Sequence, residues 1–228
     1  MATPPIPKRR KAVRRAEILA AAREVFLDKP FDEASLSEIA ARADCVEGTI
    51  YTYFKNKRDL LDSVLAEFYD GLIADIEPRF ASIQGTRDRL SFLIARHLQI
   101  AVDDPAVAGL IARESHGRSH YFGSTLHGLN KRYSQFLVRT IKEGIERGEL
   151  KRDLDPTLAR DLVFGGLEHI AWNTQGQGRR FEPARVAQSL TELLLAGWQV
   201  GGQADPMRHL AQRLTRIEGQ LKRKGIAS

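Results

Sequence analysis

Several things are scarce in this sequence, and each scarcity narrows what the protein can be. Its 228 residues include one cysteine, Cys45. That excludes an intramolecular disulfide, a multi-cysteine metal site and an iron–sulfur centre, and it suits a reducing compartment. No run approaches the roughly 18 consecutive apolar residues of a membrane span, and no signal-type apolar stretch follows the basic N-terminus, so no membrane association and a cytoplasmic location are expected. The alternating pattern of half-buried strands is nearly absent. Also missing are a phosphate-cradling glycine loop, a Gly-x-Ser-x-Gly elbow and a His-Glu-x-x-His pair, so neither an enzyme nor a cofactor is expected. His116, His120 and His127 have suggestive spacing, but Gly117 and Gly123 point to a loop and no ligand set is complete. No metal is expected.

The charge that is present is unevenly placed. Lys8, Arg9, Arg10, Lys11, Arg14 and Arg15 are accompanied by no acid in the first fifteen residues, and this segment alone accounts for the net charge of +6. A second basic cluster, from Arg208 to Lys224, leaves the body between the two ends acidic. Pro4, Pro5 and Pro7 would keep the N-terminal arm extended, and such an arm suits a polyanion.

Apolar residues recur at spacings of three and four, which predicts an all-α protein. A first helix is expected over Val13–Lys29, with Ile18, Ala22, Val25 and Phe26 on one face. Ser35-Leu36-Ser37-Glu38 has the form of a capping box and starts a short second helix. After a break at Asp44-Cys45-Val46, a third helix of about eight residues turns Ile50 and Phe54 inward. A fourth runs from Lys57 to about Phe80 with a long apolar stripe. Further helices are expected at about 86–102, 105–116, 121–147, 156–175, 184–200 and 206–223, separated by glycine, proline and aspartate.

Two short helices joined by a tight turn, the second rich in hydroxyl and aromatic side chains, have the form of a DNA-binding helix–turn–helix. The second helix must show short polar groups to base edges while its apolar side anchors it. Thr49, Tyr51, Thr52 and Tyr53 are the candidates there, able to reach bases or phosphates, and Gly48 is a further DNA-binding candidate. Arg14, Arg15, Ser35, Lys55 and Lys57 are candidates for the flanking phosphates.

At this point the chain resembles the TetR/AcrR family of transcriptional regulators. The resemblance rests on Ser35-Leu36-Ser37-Glu38-Ile39-Ala40, Gly48-Thr49-Ile50-Tyr51, Tyr53-Phe54 and Lys57-Arg58-Asp59-Leu60-Leu61, all at the family's spacing. The turn departs from it: Asp44-Cys45-Val46-Glu47 stands where the family usually has Gly-Val-Ser-Lys. Asp44 tolerates a left-handed turn and Cys45 can replace a small apolar side chain. Val46 cannot cap the recognition helix, at a cost of about 1 kcal/mol, and Glu47 replaces a cation. Between residues 16 and 60 the chain has six basic and nine acidic residues, so the basic arm is expected to compensate.

The resemblance implies a reading head in residues 1–56 and a ligand-binding, dimerising helical domain in residues 57–228. It implies a homodimer on an inverted-repeat double-stranded DNA operator, acting as a repressor released by a hydrophobic small molecule. The dimer would be a four-helix bundle made from 156–175, 184–200 and their copies, with Leu162, Gly166, Ile170, Leu190, Leu193, Leu194 and Gly197 at the interface. Phe92, Leu93, His97, Ile111, Phe122, Phe136, Leu137 and Phe164 are the candidate pocket. Gly144 to Asp155 and Phe164-Gly165-Gly166-Leu167-Glu168 resemble members that regulate fatty-acid degradation and answer to long-chain acyl-coenzyme A, with aromatic compounds or drugs as the alternative effectors. Arg113, Arg118, Lys131, Arg132 and Arg139 are the cations expected near such a head group. The alternative is an architectural or cell-division factor on the same fold, distinguished by a sealed interior.

Overall fold

The computed structural model describes residues 8–116, 121–176 and 181–200. Within them the chain forms nine helices: α1 (Lys8–Asp28), α2 (Leu36–Arg42), α3 (Glu47–Tyr51), α4 (Lys57–Ser82), α5 (Thr86–Asp103), α6 (Pro105–Ser115), α7 (Thr125–Glu146), α8 (Pro156–Gly176) and α9 (Pro183–Trp198). No strand occurs among the described residues, only an isolated bridge between Leu150 and Gln199. The all-α expectation is therefore met. The expected helix at 206–223, the three prolines of the arm and His120 lie outside the described residues.

Caps explain most boundaries. Ser35 Oγ accepts the Glu38 N–H at 3.2 Å and starts α2, but the Glu38 carboxylate is taken by Lys29 at 2.9 Å instead of completing the box. Asn56 and Asp104 cap α4 and α6 in the same way, and Pro105 supplies the fixed φ of a first helical residue. Two expectations shift. The first helix begins at Lys8, so Lys8–Arg15 are wound into α1 and are not part of an extended arm. The seventh begins at Thr125, because Gly123 adopts φ +84° and Ser124 then caps the helix through the His127 N–H.

Helices α1, α2 and α3 pack together around Ile18, Phe26, Ile39, Ile50 and Phe54, all buried. The long helix α4 packs on both α1 and α7. Its buried stripe of Leu60, Leu61, Leu65, Tyr69, Leu72, Ile76 and Phe80 joins the two halves into one continuous core. Helix α5 sits against α7 and α9, and α8 against α5 and α7. The end of α7 is closed by Gly148 at φ +72°. There Glu149 accepts the Thr86 N–H at 3.1 Å, and Lys151 N donates to Trp198 O at 2.8 Å. The ends of α5, α7 and α9 are thus tied in one place.

Candidate nucleic-acid interface and effector cavity

The turn between α2 and α3 works as its sequence suggests. Asp44 takes φ +48°, Cys45 packs half-buried against the core, and Val46 is exposed and caps nothing with its side chain. Helix α3 is five residues long, shorter than expected, and continues into a turn that returns Phe54 to the core. Ile50 and Phe54 anchor it, so Gly48, Tyr51 and Thr52 face outward and Thr49 and Tyr53 are half-buried. A Cβ on Gly48 would meet nothing within 4 Å, which leaves that backbone open to a large partner.

The flanking candidates differ among themselves. Lys55 is exposed. Arg15 lies over the Phe54 ring, 5.1 Å from its centroid, and Arg14 donates to the Ala43 carbonyl at 3.1 Å, fixing α1 against the turn. Lys57 is placed otherwise than expected. Its ammonium donates to the carbonyls of Phe31 and Ala34 at 2.8 and 2.7 Å, which spends two of its three donors inside the domain. Ser35 is a helix cap at the exposed entry to α2.

The second half encloses a cavity of about 760 Å³ between α4, α5, α6, α7 and α8. That volume lies inside the usual range of roughly 300–1,000 Å³ for small-molecule sites. His97, Ile111, Phe122 and Phe164 line it, as expected from the sequence. Phe92, Leu93, Phe136 and Leu137 do not; they fill the core on other faces of α5 and α7, with Phe136 edge-on to Phe80 at 5.2 Å. The lining also contains Tyr69, Tyr121, Asn130, Tyr133, Glu168 and Trp172, which the apolar pattern did not single out. Phe122 and Trp172 are 83% and 70% exposed, so their rings form the rim.

Polar groups inside the cavity are tied to one another. Tyr69 Oη donates to Asn130 Oδ1, and Asn130 Nδ2 donates to Tyr121 Oη at 2.9 Å. Burial pushes the Tyr69 and Tyr133 hydroxyls above the ordinary phenol range and lowers His97 to about 4, so all three are neutral near pH 7. Burial raises the Glu168 carboxyl as well, opposed by His116 at 3.3 Å. Of the expected head-group cations, Lys131 lines the cavity; Arg160 lines it too, but is paired with the adjacent Asp161 at 2.7 Å. Arg132 is paired with Asp70, Arg139 lies over Phe80, Arg113 reaches the Phe26 carbonyl, and Arg118 lies outside the described residues.

Away from the cavity lining, Leu158 and Leu162 of α8 and Leu193 of α9 are exposed large apolar residues. Gly166 and Gly197 are also exposed, and Ile170 and Leu190 are half-buried. Leu194, expected at the interface, is instead 8% exposed and faces the subunit's own core.

A helix–turn–helix head joined by one long helix to a cavity-bearing helical body defines a transcriptional regulator. Residues 18–64 match the family model described as bacterial regulatory proteins, tetR family, and residues 65–197 match that of the YsiA-like protein, C-terminal region. The chain belongs to the TetR family of bacterial regulators, in the branch with a YsiA-like C-terminal region. It is 28% identical over 181 residues to the fatty acid metabolism regulator protein of Bacillus subtilis (strain 168), covering 79% of this chain and 93% of that one. To the transcriptional repressor KstR2 of Rhodococcus jostii (strain RHA1) it is 27% identical over 170 residues, covering 71% and 78%. The crystal structure of the regulator FadR from Bacillus subtilis in complex with stearoyl-CoA superposes with a TM-score of 0.72 at 28% identity, covering 80% of this chain and 98% of that one.

Proposed function

We propose that the protein is a homodimeric repressor that holds an inverted-repeat operator through residues 1–56 and is released when a long-chain acyl-coenzyme A enters the body formed by residues 57–228. The observation that carries this reading is the cavity: about 760 Å³, walled by aromatic and aliphatic side chains, with Lys131 and Arg160 in its lining. Such a wall suits an acyl chain, and the Lys131 ammonium suits a phosphate of coenzyme A. The relative solved with stearoyl-CoA supports the same class of effector. An architectural factor has no use for a cavity of this size, and nothing in the reading requires the effector to be turned over.

Dimerisation is assigned to the outer face of α8 and α9. Leu158, Leu162 and His169 of α8 are exposed and absent from the cavity lining, as is Leu193 of α9. A Cβ on Gly166 or Gly197 would meet nothing within 4 Å, so a second backbone can approach closely there. Two heads related by a two-fold axis read a two-fold DNA site. Thr49, Tyr51, Thr52 and Tyr53 are assigned to bases, and Arg14, Arg15, Lys55 and the Gly48 backbone to phosphates. The expected setting is the cytoplasm; no described helix is long and apolar enough to cross a membrane.

The test begins with selection of bound sequences from random duplex DNA, which should return an inverted repeat. Stearoyl-CoA should then release that operator while coenzyme A alone should not. Selection of a single, non-repeated site, or release by coenzyme A alone, would contradict the reading.

A further inference from the structure

The cavity wall contains a hydrogen-bonding pair that a purely hydrocarbon ligand would leave unused. His97 on α5 and Tyr133 on α7 both line the cavity, with His97 Nδ1 3.3 Å from Tyr133 Oη. Their rings stack at 5.9 Å and Phe164 meets the imidazole edge-on at 5.0 Å, so the pair is held in place. Its protons can be counted. A neutral imidazole has one N–H and a phenol one O–H, and the bond between them uses one of the two. If the phenol donates to Nδ1, the imidazole proton sits on Nε2; if Nδ1–H donates, the phenolic proton is left over. Either tautomer leaves one donor unused among the described residues. Burial keeps both groups neutral near pH 7, so the count does not change there.

We infer that the part of the effector entering the cavity carries a neutral acceptor oxygen, a carbonyl, and that the His97–Tyr133 pair donates to it. The inference rests on reading the cavity as the effector site. A carboxylate or phosphate fits this place poorly, because the pair is uncharged and Arg96, whose charge reaches Tyr133, is itself bound to Asp75 at 3.0 Å. Tyr121 adds a second hydroxyl: its oxygen accepts from Asn130 at 2.9 Å, which leaves its O–H to donate. A donor enclosed by apolar walls discriminates against ligands that leave it unpaired. The oxygen has two chemical sources, the thioester of an acyl-coenzyme A or a ketone elsewhere on a hydrophobic skeleton.

The experiment uses prodan, a naphthyl ketone whose emission moves to the red when its carbonyl accepts a hydrogen bond. Bound to the intact protein, it should emit further to the red than when bound to the His97→Phe/Tyr133→Phe double variant. Each single variant should keep most of that shift, because the remaining partner still has one proton. Infrared spectra of prodan on the intact protein give a readout that needs no variant: the carbonyl stretch should lie below its value in an alkane. An alkane-like stretch, identical emission in the intact and double-variant proteins, or no binding of prodan would overturn the inference. Stearoyl-CoA compared with S-octadecyl-coenzyme A, its thioether without a carbonyl, separates the sources. Weaker binding of the thioether by about fivefold to tenfold assigns the thioester oxygen to the pair, and equal binding assigns a ketone on the skeleton. Red-shifted prodan with no binding of stearoyl-CoA would remove the acyl-coenzyme A reading and leave this inference standing. Stearoyl-CoA bound with an alkane-like prodan stretch would do the reverse.

Discussion

Arg58, at the start of α4, donates across 2.7 Å to the carboxylate of Glu114, which lies buried near the end of α6. The same guanidinium covers the Phe31 ring, 3.9 Å from its centroid, and Phe31 stacks on Phe26 of α1. Helix α6 also supplies Gly109, Ile111 and Ala112 to the cavity wall. A shift of α6 would therefore be felt at the base of the reading head through this ion pair, beside the contacts of Arg113 with the Phe26 carbonyl and of Arg23 with Asp104. Replacing Arg58 with methionine should cost about 1–3 kcal/mol, because a buried carboxylate loses a charged partner that is itself partly exposed. Chemical denaturation measures the loss. The effect of stearoyl-CoA on operator affinity should shrink in the same variant.

Leu193 and Leu194 are adjacent but lie about 100° apart on α9, one 71% and the other 8% exposed. Leu193→Glu should yield folded monomers that bind the operator poorly, whereas Leu194→Glu should unfold the subunit. Sedimentation beside far-ultraviolet circular dichroism separates the two. A folded Leu193→Glu that sediments as a dimer would put the interface elsewhere.

Gly144, in the last turn of α7, is excluded from larger residues by its neighbours. A Cβ there would stand 2.6 Å from Thr86 Oγ1 and 2.9 Å from Leu150 Cδ1. Leu150 is fully buried, and Thr86 accepts a hydrogen bond from Arg147 at 3.1 Å, so neither yields cheaply. Gly144→Ala should destabilise by about 1–3 kcal/mol despite alanine's better helix propensity. A raised melting temperature would contradict the packing at this junction.

Acid should weaken the protein in two separable steps. His97 is neutral in the fold, with its pKa lowered to about 4, and titrates near 6.5 when unfolded. The unfolded chain therefore binds more protons as pH falls below about 6.5. Stability present above that value is lost progressively towards pH 4, by at most about 3 kcal/mol. Glu149 is held at about 2 by hydrogen bonds from Arg147 and Thr86, so its contribution persists to lower pH and fades only from the ordinary carboxylate range downwards. Between pH 7 and 4.5 the denaturation midpoint of the intact protein should fall more steeply than that of His97→Phe. Parallel curves would remove His97 from the explanation.

The reading head was more legible in the sequence than the cavity, for a physical reason. Caps and tight turns depend on neighbours a few residues away, so Ser35, Asp44 and Gly48 announce the helix–turn–helix locally. The cavity depends on which side chains stop short of one another across five helices. A helical period shows that Leu93 and His97 face inward but not that one meets packed side chains and the other a space. Tyr69 and Tyr133 stand at buried positions of their helices and look like core. On α9 the run Leu193-Leu194-Leu195 leaves the outward residue undecided, which is why Leu194 was misplaced. Lys57 was misread because its partners, the Phe31 and Ala34 carbonyls, come from a loop far away in sequence.

The most direct test is a titration of operator-bound protein with acyl-coenzyme A esters of increasing chain length. Operator release is followed by the anisotropy of labelled DNA and cavity filling by the fluorescence of Trp172, which lies on the rim, in a Trp198→Phe variant that removes the second tryptophan. Each added methylene buries more apolar surface, by about 0.8 kcal/mol at best, until the cavity is full. Release should therefore become more effective as the chain lengthens, with Trp172 responding over the same concentrations. By linkage, operator must weaken ester binding by the factor the ester weakens operator binding. An operator that stays bound at every chain length, while Trp172 reports a filled cavity, would contradict the claim that this cavity controls the reading heads.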